Sequence, residues 1–258
     1  MMAALGSDTH GAACRGHLRS RPMAASDEPF ADRETAGLAL GEALRNCRLT
    51  APVLVLGLPR GGVPVAYQVA QALQAPLDVM VVRKVGAPGQ PELAIGAIAS
   101  GDVMVREPYA AEYLAGQEAM FEQLAQRERL ELLRREQAYR PHLAPLALVG
   151  KTVVLVDDGV ATGCTMLAAI RAARKAGAAR VIAAAPVASD EAAALIGNEA
   201  DETAFLNVPP YLHAISLWYR DFSQTGDDEV CKLLAQSRIS APLGADVKNP
   251  GVRAGPAS

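Results

Sequence analysis

Two adjacent carboxylates, Asp157 and Asp158, followed by Gly159, Ala161, Thr162, Gly163, Cys164 and Thr165, are the residues of this chain best suited to chemistry. Neighbouring like charges repel, so such a pair is costly unless it meets hydroxyl groups or a cation. The small residues behind it can aim backbone N–H groups at an anion, and Thr162 and Thr165 add hydroxyls, which together make a phosphate cradle. Phosphate, a polyol and a hard cation such as magnesium are the ligands this combination suits. An ordinary strand-to-helix crossover, with the two Asp residues as caps, is the alternative; one Asp would be enough for that.

A second anion site is suggested by Pro59-Arg60-Gly61-Gly62. Paired glycines let the backbone approach a bound group closely, and Arg60 brings a planar guanidinium matched to phosphate oxygens. A tight turn would use the same glycines. Arg83 and Lys84 are a third feature, either cations aimed at an anionic leaving group or two solvated charges ending a strand.

These residues need elements to hold them. Val153 to Val156 is a short apolar, β-branched run, the pattern of a parallel strand covered on both faces, so Asp157 and Asp158 fall at its carboxyl end. The stretch from Met166 is expected as a helix ending at Gly177. Val53 to Leu58 is expected as the first strand, leading into Arg60 and a helix that starts with VPVAYQ. Leu77 to Val82 is expected as the next strand, with Arg83 and Lys84 at its carboxyl end, on the same sheet edge as Arg60 and Asp157. Ala179 to Val187 and Glu202 to Val208 complete a set of strands alternating with helices, which makes a parallel sheet with helices on both faces. Near Pro29 a first helix begins, with Leu38, Leu40 and Leu44 on or near one side, and packing is its expected role.

The thirteen residues VVLVDDGVATGCT resemble the 5-phosphoribosyl-1-pyrophosphate signature of the type I phosphoribosyltransferases. The resemblance implies the α/β fold of that family: a parallel sheet with flanking helices, a flexible loop hairpin and a small C-terminal hood, here with a long inserted helix. It implies transfer of the 5-phosphoribosyl group from 5-phosphoribosyl-1-pyrophosphate to a nitrogen nucleophile such as a nucleobase, with magnesium and release of pyrophosphate. Asp157 and Asp158 would hold the ribose hydroxyls, directly or through the metal, and the Ala161 to Thr165 backbone would hold the 5′-phosphate. Arg60, Gly61 and Gly62 would form the pyrophosphate loop, with Arg83 and Lys84 meeting the leaving group. The Gly- and Pro-rich stretch from Gly86 to Gly96, carrying Glu92, would be the mobile loop that closes the site. The hood, 207–228, would cover the acceptor base, with Trp218 and Tyr219 as residues that stack on it or, the commoner role of aromatics in a terminal segment, as packing. The family's 6-oxopurine members carry an Asp where this chain has Ala161, whereas its adenine and uracil members carry Ala, so guanine and hypoxanthine are expected to be poor acceptors. A regulator that binds the phosphoribosyl compound or a nucleotide through the same fold, without turnover, is the alternative function.

Composition bounds the rest. Half of the 258 residues are apolar, ample for a core, and the net charge of −3 with mixed signs gives no global field for nucleic acid or an anionic membrane. Cys14, Cys47, Cys164 and Cys231 show no C-x-x-C spacing and the four histidines no metal spacing, which fits reduced thiols in the cytoplasm. No apolar run reaches the roughly 18 residues of a membrane span. The expected organisation is a disordered tail over 1–28, with Met23 as an alternative start and a transit peptide as the other reading of these residues. A phosphoribosyltransferase domain follows over 29–236, then a disordered tail over 237–258. Within the domain, 107–141 is expected as an inserted helix with Leu114, Phe121 and Leu124 in an apolar stripe and Glu131 paired with Arg135, solvated and lying over the domain. A homodimer is compatible with this reading, and neither the acceptor nor the purpose of the inserted helix follows from it.

Overall fold

A computed structural model describes residues 28–240 apart from 48, 50, 51, 102, 107–117 and 142–145. The expected tails, with the exception of Glu28 and of residues 237–240, lie outside the described residues, as do Leu114 and the side chain of Glu92.

Five strands form one parallel sheet: β1 (Val53–Gly57), β2 (Leu77–Val79), β6 (Thr152–Val156), β7 (Arg180–Val187) and β8 (Glu202–Asn207), in the order β2-β1-β6-β7-β8. The central strands β1, β6 and β7 are apolar and almost wholly buried because both their faces are covered. Val154 and Val156 point into one apolar cluster while Val153 and Leu155 point into the other, the two-residue alternation of a strand dividing two cores. Helices α1 (Arg33–Arg45), α2 (Gly62–Leu73) and α6 (Asp227–Ser240) contribute Leu40, Val69 and Leu234 to the first cluster. Helices α4 (Cys164–Lys175) and α5 (Asp190–Gly197) contribute Met166, Ile170 and Ile196 to the second.

A separate antiparallel sheet holds β3 (Val82–Ala87), β4 (Gln90–Ala99) and β5 (Val103–Arg106) in the order β3-β4-β5. This corrects one expectation. The second strand of the main sheet stops at Val79, and Arg83 and Lys84 sit within β3 rather than at the end of a parallel strand. The stretch from Gly86 to Gly96 carries the tip of the hairpin between β3 and β4: the register shifts at Gly86, and Pro88 and Gly89 form the turn.

Helix α3 (Glu118–Tyr139) is the inserted helix, and it is more than a solvated cover. Phe121, Ala125, Leu132 and Tyr139 recur at helical spacing and are buried in the first cluster, while Arg140 just beyond it donates to Asp78 of β2 at 3.0 Å. Charged residues dominate the sequence of this segment, which is why its buried stripe is hard to see. Glu131 accepts from Arg135 at 2.8 Å, as its spacing implies. In α1, Leu40 and Leu44 are buried, but Leu38 is 54% exposed: two positions from Leu40, it falls on the opposite face of a 3.6-residue repeat. Helix α6 runs through Ser240, past the expected start of the tail at 237.

Candidate functional site

In the main sheet, β1 leads to β2 on one side while β6 leads through β7 to β8 on the other, so the chain reverses its direction of travel between the neighbours β1 and β6. Loops leaving such a pair part from one another and open a crevice at the carboxyl ends of the strands, the usual ligand position in open α/β sheets. The register Gly57↔Val156 brings the Pro59-Arg60-Gly61 turn and Asp157-Asp158 side by side there.

Gly61 and Gly62 are required by this closeness. A Cβ on Gly61 would overlap an Asp158 carboxylate oxygen, and one on Gly62 would lie 2.6 Å from the Val156 carbonyl. The glycine pair therefore lets the turn lie against the acidic residues, a reason that differs from the expected approach to an anion. Gly163, with φ of 82°, turns the chain into α4, whose first turn carries no side-chain cap. Its leading N–H groups and helix dipole face the small recess of about 130 Å³ lined by Lys84, Asp157, Thr162 and Ile215.

Apart from Glu92, whose side chain lies outside the described residues, the sequence-derived site residues have definite places. Asp157, Gly159, Ala161, Thr162, Gly163 and Thr165 line that small recess. Arg60, Gly61, Arg83, Lys84, Asp157, Asp158 and Thr165 line a larger adjoining cleft of about 960 Å³. Cys164 is buried with the second core cluster, so only its backbone can serve a ligand. Trp218 is half-buried at the end of a 3₁₀ turn (Ile215–Trp218), and its carbonyl accepts from Phe30 N–H at 2.9 Å. Tyr219 is buried between Phe30 and Phe222, and its hydroxyl donates to the Asp158 carbonyl at 2.6 Å. The hood residue that reaches the recess is Ile215, whose side chain a Cβ on Gly159 would overlap.

Arg33 is the site residue that the sequence did not reveal. Its Nε donates to Asp158 Oδ2 at 2.8 Å, its Nη1 donates to the Ser223 carbonyl at 2.7 Å, and its guanidinium lies 4.0 Å from the centre of the Phe222 ring. The one signal was a cation in the first turn of α1, where the helix dipole disfavours it, so that a tertiary partner is called for.

Burial, with the neighbouring Asp158 charge, pushes the Asp157 carboxyl well above the usual carboxylate range, against the opposing pull of Lys84. Burial also raises Asp158, and Arg33 offsets part of that rise. Such a pair favours any added positive charge. No group of three or more His, Cys, Asp or Glu side chains that could hold a metal occurs among the described residues. Two carboxylates, one of them committed to Arg33, suit magnesium, which keeps water and substrate oxygens and rarely takes an all-protein cage.

The comparisons with known proteins agree with this geometry. The family profile described as "Phosphoribosyl transferase domain" matches residues 31–203. A Mycobacterium tuberculosis H37Rv protein named as a candidate phosphoribosyl transferase is 44% identical over 217 residues, covering 84% of this chain and 49% of that protein, and its counterpart in strain CDC 1551 matches equally. The chain thus spans about half the length of the curated relatives it matches. The crystal structure of TT1426 from Thermus thermophilus superimposes with a TM-score of 0.70 at 45% identity, covering 81% of this chain and 98% of that one. No described helix is long and apolar enough to cross a membrane.

Proposed function

The chain belongs to the phosphoribosyl transferase domain family, and from that premise we propose that it transfers the phosphoribosyl group of 5-phosphoribosyl-1-pyrophosphate to a nitrogen nucleophile such as a nucleobase, releasing pyrophosphate. The observation that carries the reading is the meeting of two loops at the sheet's switch point, where a glycine-paired turn with Arg60 lies against the Asp157-Asp158 pair and the α4 N-terminus. An anion-binding loop on either side of two carboxylates matches a ribose with phosphate groups at both ends.

In the reaction the C1–O bond to pyrophosphate breaks as the C1–N bond forms. Pyrophosphate leaves with the bonding pair, and the acceptor nitrogen gives up its proton. The transition state has oxocarbenium character, so the protein's task is to hold the ribose, neutralise the leaving group and exclude water. Asp157 and Asp158 accept from the ribose hydroxyls. The backbone from Ala161 to Thr165, with the hydroxyls of Thr162 and Thr165, binds the 5′-phosphate. Arg60, Arg83 and Lys84 meet the pyrophosphate charge. Asp157 and Asp158 would be the residues to hold magnesium, which would supply further neutralisation of that charge.

Assaying pyrophosphate release from the donor with magnesium, a panel of nucleobases and a control without acceptor tests the proposal. Release that depends on one base is expected. Donor binding without release under any acceptor would replace transfer by a ligand-sensing role, and no binding of donor at all would remove both.

A further inference from the structure

The large cleft has one wall that the signature motifs do not supply. Helix α3 turns a second face beside its buried stripe: Leu124, Glu128, Glu131 and Arg135 follow at helical spacing, with Arg127 flanking them. Leu124, Arg127, Glu128 and Arg135 line the same cleft as Arg60, Lys84 and Asp157. Across it Arg83 of β3 donates to Glu128 at 2.9 Å through Nε, with a second contact of 2.7 Å through Nη2. Arg135 pairs with Glu131 at 2.8 Å, and Arg60 stands 3.9 Å from Asp227, which also accepts from the buried Tyr139 hydroxyl. Five cationic side chains, Arg60, Arg83, Lys84, Arg127 and Arg135, therefore converge on one space from three parts of the chain. A single phosphoryl group does not call for five cations, whereas a magnesium diphosphate presents enough oxygens to engage several of them.

The geometry points to Arg127 and Arg135 of helix α3 as binding residues for the diphosphate leaving group, with Glu128 as the carboxylate that the diphosphate replaces on Arg83. This rests on the diphosphate-releasing reading given above. It assigns the inserted helix a purpose: its buried stripe fixes the helix against β3 and the first core, and its adjacent face adds two guanidiniums to the leaving-group side of the cleft. Glu128 holds Arg83 and Glu131 holds Arg135 by short ion pairs, so that binding exchanges one oxygen partner for another.

Titration calorimetry on the full chain tests it, at about 0.15 M salt, where charges beyond roughly 8 Å are screened. The ligands are magnesium pyrophosphate and, separately, ribose 5-phosphate. Arg127→Ala, at an exposed position, and Arg135→Gln are each expected to weaken pyrophosphate about tenfold, the loss of one charge-assisted contact, and to leave ribose 5-phosphate within about twofold. Glu128→Gln is expected to tighten pyrophosphate severalfold, since it releases Arg83 and removes a negative charge. Arg129→Ala makes the same charge change on the same helix, but Arg129 lines a different cavity, so it should leave both ligands unchanged. Pyrophosphate affinity unaltered by Arg127→Ala would overturn the inference, as would equal weakening of both ligands or an equal effect of Arg129→Ala. In each of those cases the phosphoribosyl reading survives. Wild-type protein that binds neither ligand would instead remove the reading and the inference together.

Discussion

Asp157 and Asp158 are held in a state that favours protons or cations, and that has a consequence for stability. Their folded-state pKa values lie above the ordinary carboxylate value of about 4, so between that value and the raised ones the native chain binds more protons than the unfolded chain. Stability from these groups is therefore greatest at the acidic end of that window and declines as pH rises through it. Thermal melts between pH 5 and 8 should show wild type losing ground to the Asp157→Asn plus Asp158→Asn variant as pH rises, and a constant difference would contradict the raised values. The same double variant should abolish magnesium-dependent donor binding while remaining folded, measured by calorimetry; donor binding at wild-type strength would exclude these residues as its ligands. Arg33→Ala leaves Asp158 without its charged partner, which costs about 3–5 kcal/mol for a fully buried pair. Because Asp158 can take up a proton, a loss of about 1–3 kcal/mol in denaturant unfolding is expected at pH 7, and a smaller one at pH 5.

Helix α3 shows how an element can carry a buried face under a polar composition. Phe121 is fully buried, and a Cβ on Gly96 of β4 would come within 2.8 Å of its ring. Phe121→Ala should therefore destabilise the protein by about 3–5 kcal/mol. Leu130 on the same helix is 65% exposed, and Leu130→Ala should change stability by less than about 0.5 kcal/mol. Equal effects in chemical denaturation would mean that the helix packs by another face. At the signature, by contrast, element and residue agree: an apolar strand, two acids, a glycine in the left-handed region and a helix without a side-chain cap all point to the same use.

At the level of the whole molecule, the hood closes on the site with an aliphatic residue. Ile215 lies over Gly159, Tyr219 is committed to the Asp158 carbonyl, and Ala161 is exposed with its carbonyl accepting from the Ser189 hydroxyl. A methyl group at 161 can neither give nor take a proton on a purine ring, and general acid-base help is typically worth about a hundredfold to ten-thousandfold in rate. Guanine and hypoxanthine should therefore be poor acceptors, and Ala161→Asp alone should not make them good ones. A steady-state rate with guanine above that with every other base would overturn this expectation.

The apolar run before Asp157, the small residues after it and the strand-Arg-Gly-Gly-helix passage are local patterns, and local patterns are what a sequence records. They sufficed for the parallel sheet, for the two turns that meet at its carboxyl edge and for the family. The sequence could not say that β1 and β6 are neighbours at the point where the sheet reverses, because pairing between distant strands leaves no mark on either one. Nor could it place Arg83 and Lys84 inside an antiparallel hairpin, since β3 follows β2 after only two residues and Val79 to Val82 is one unbroken apolar run across the junction. Arg33 meets Asp158 across 125 positions of chain, and the cleft-facing arginines of α3 look like any solvated charges until β3 is seen beside them. Those contacts depend on how elements stack in space, so only the tertiary structure decided them.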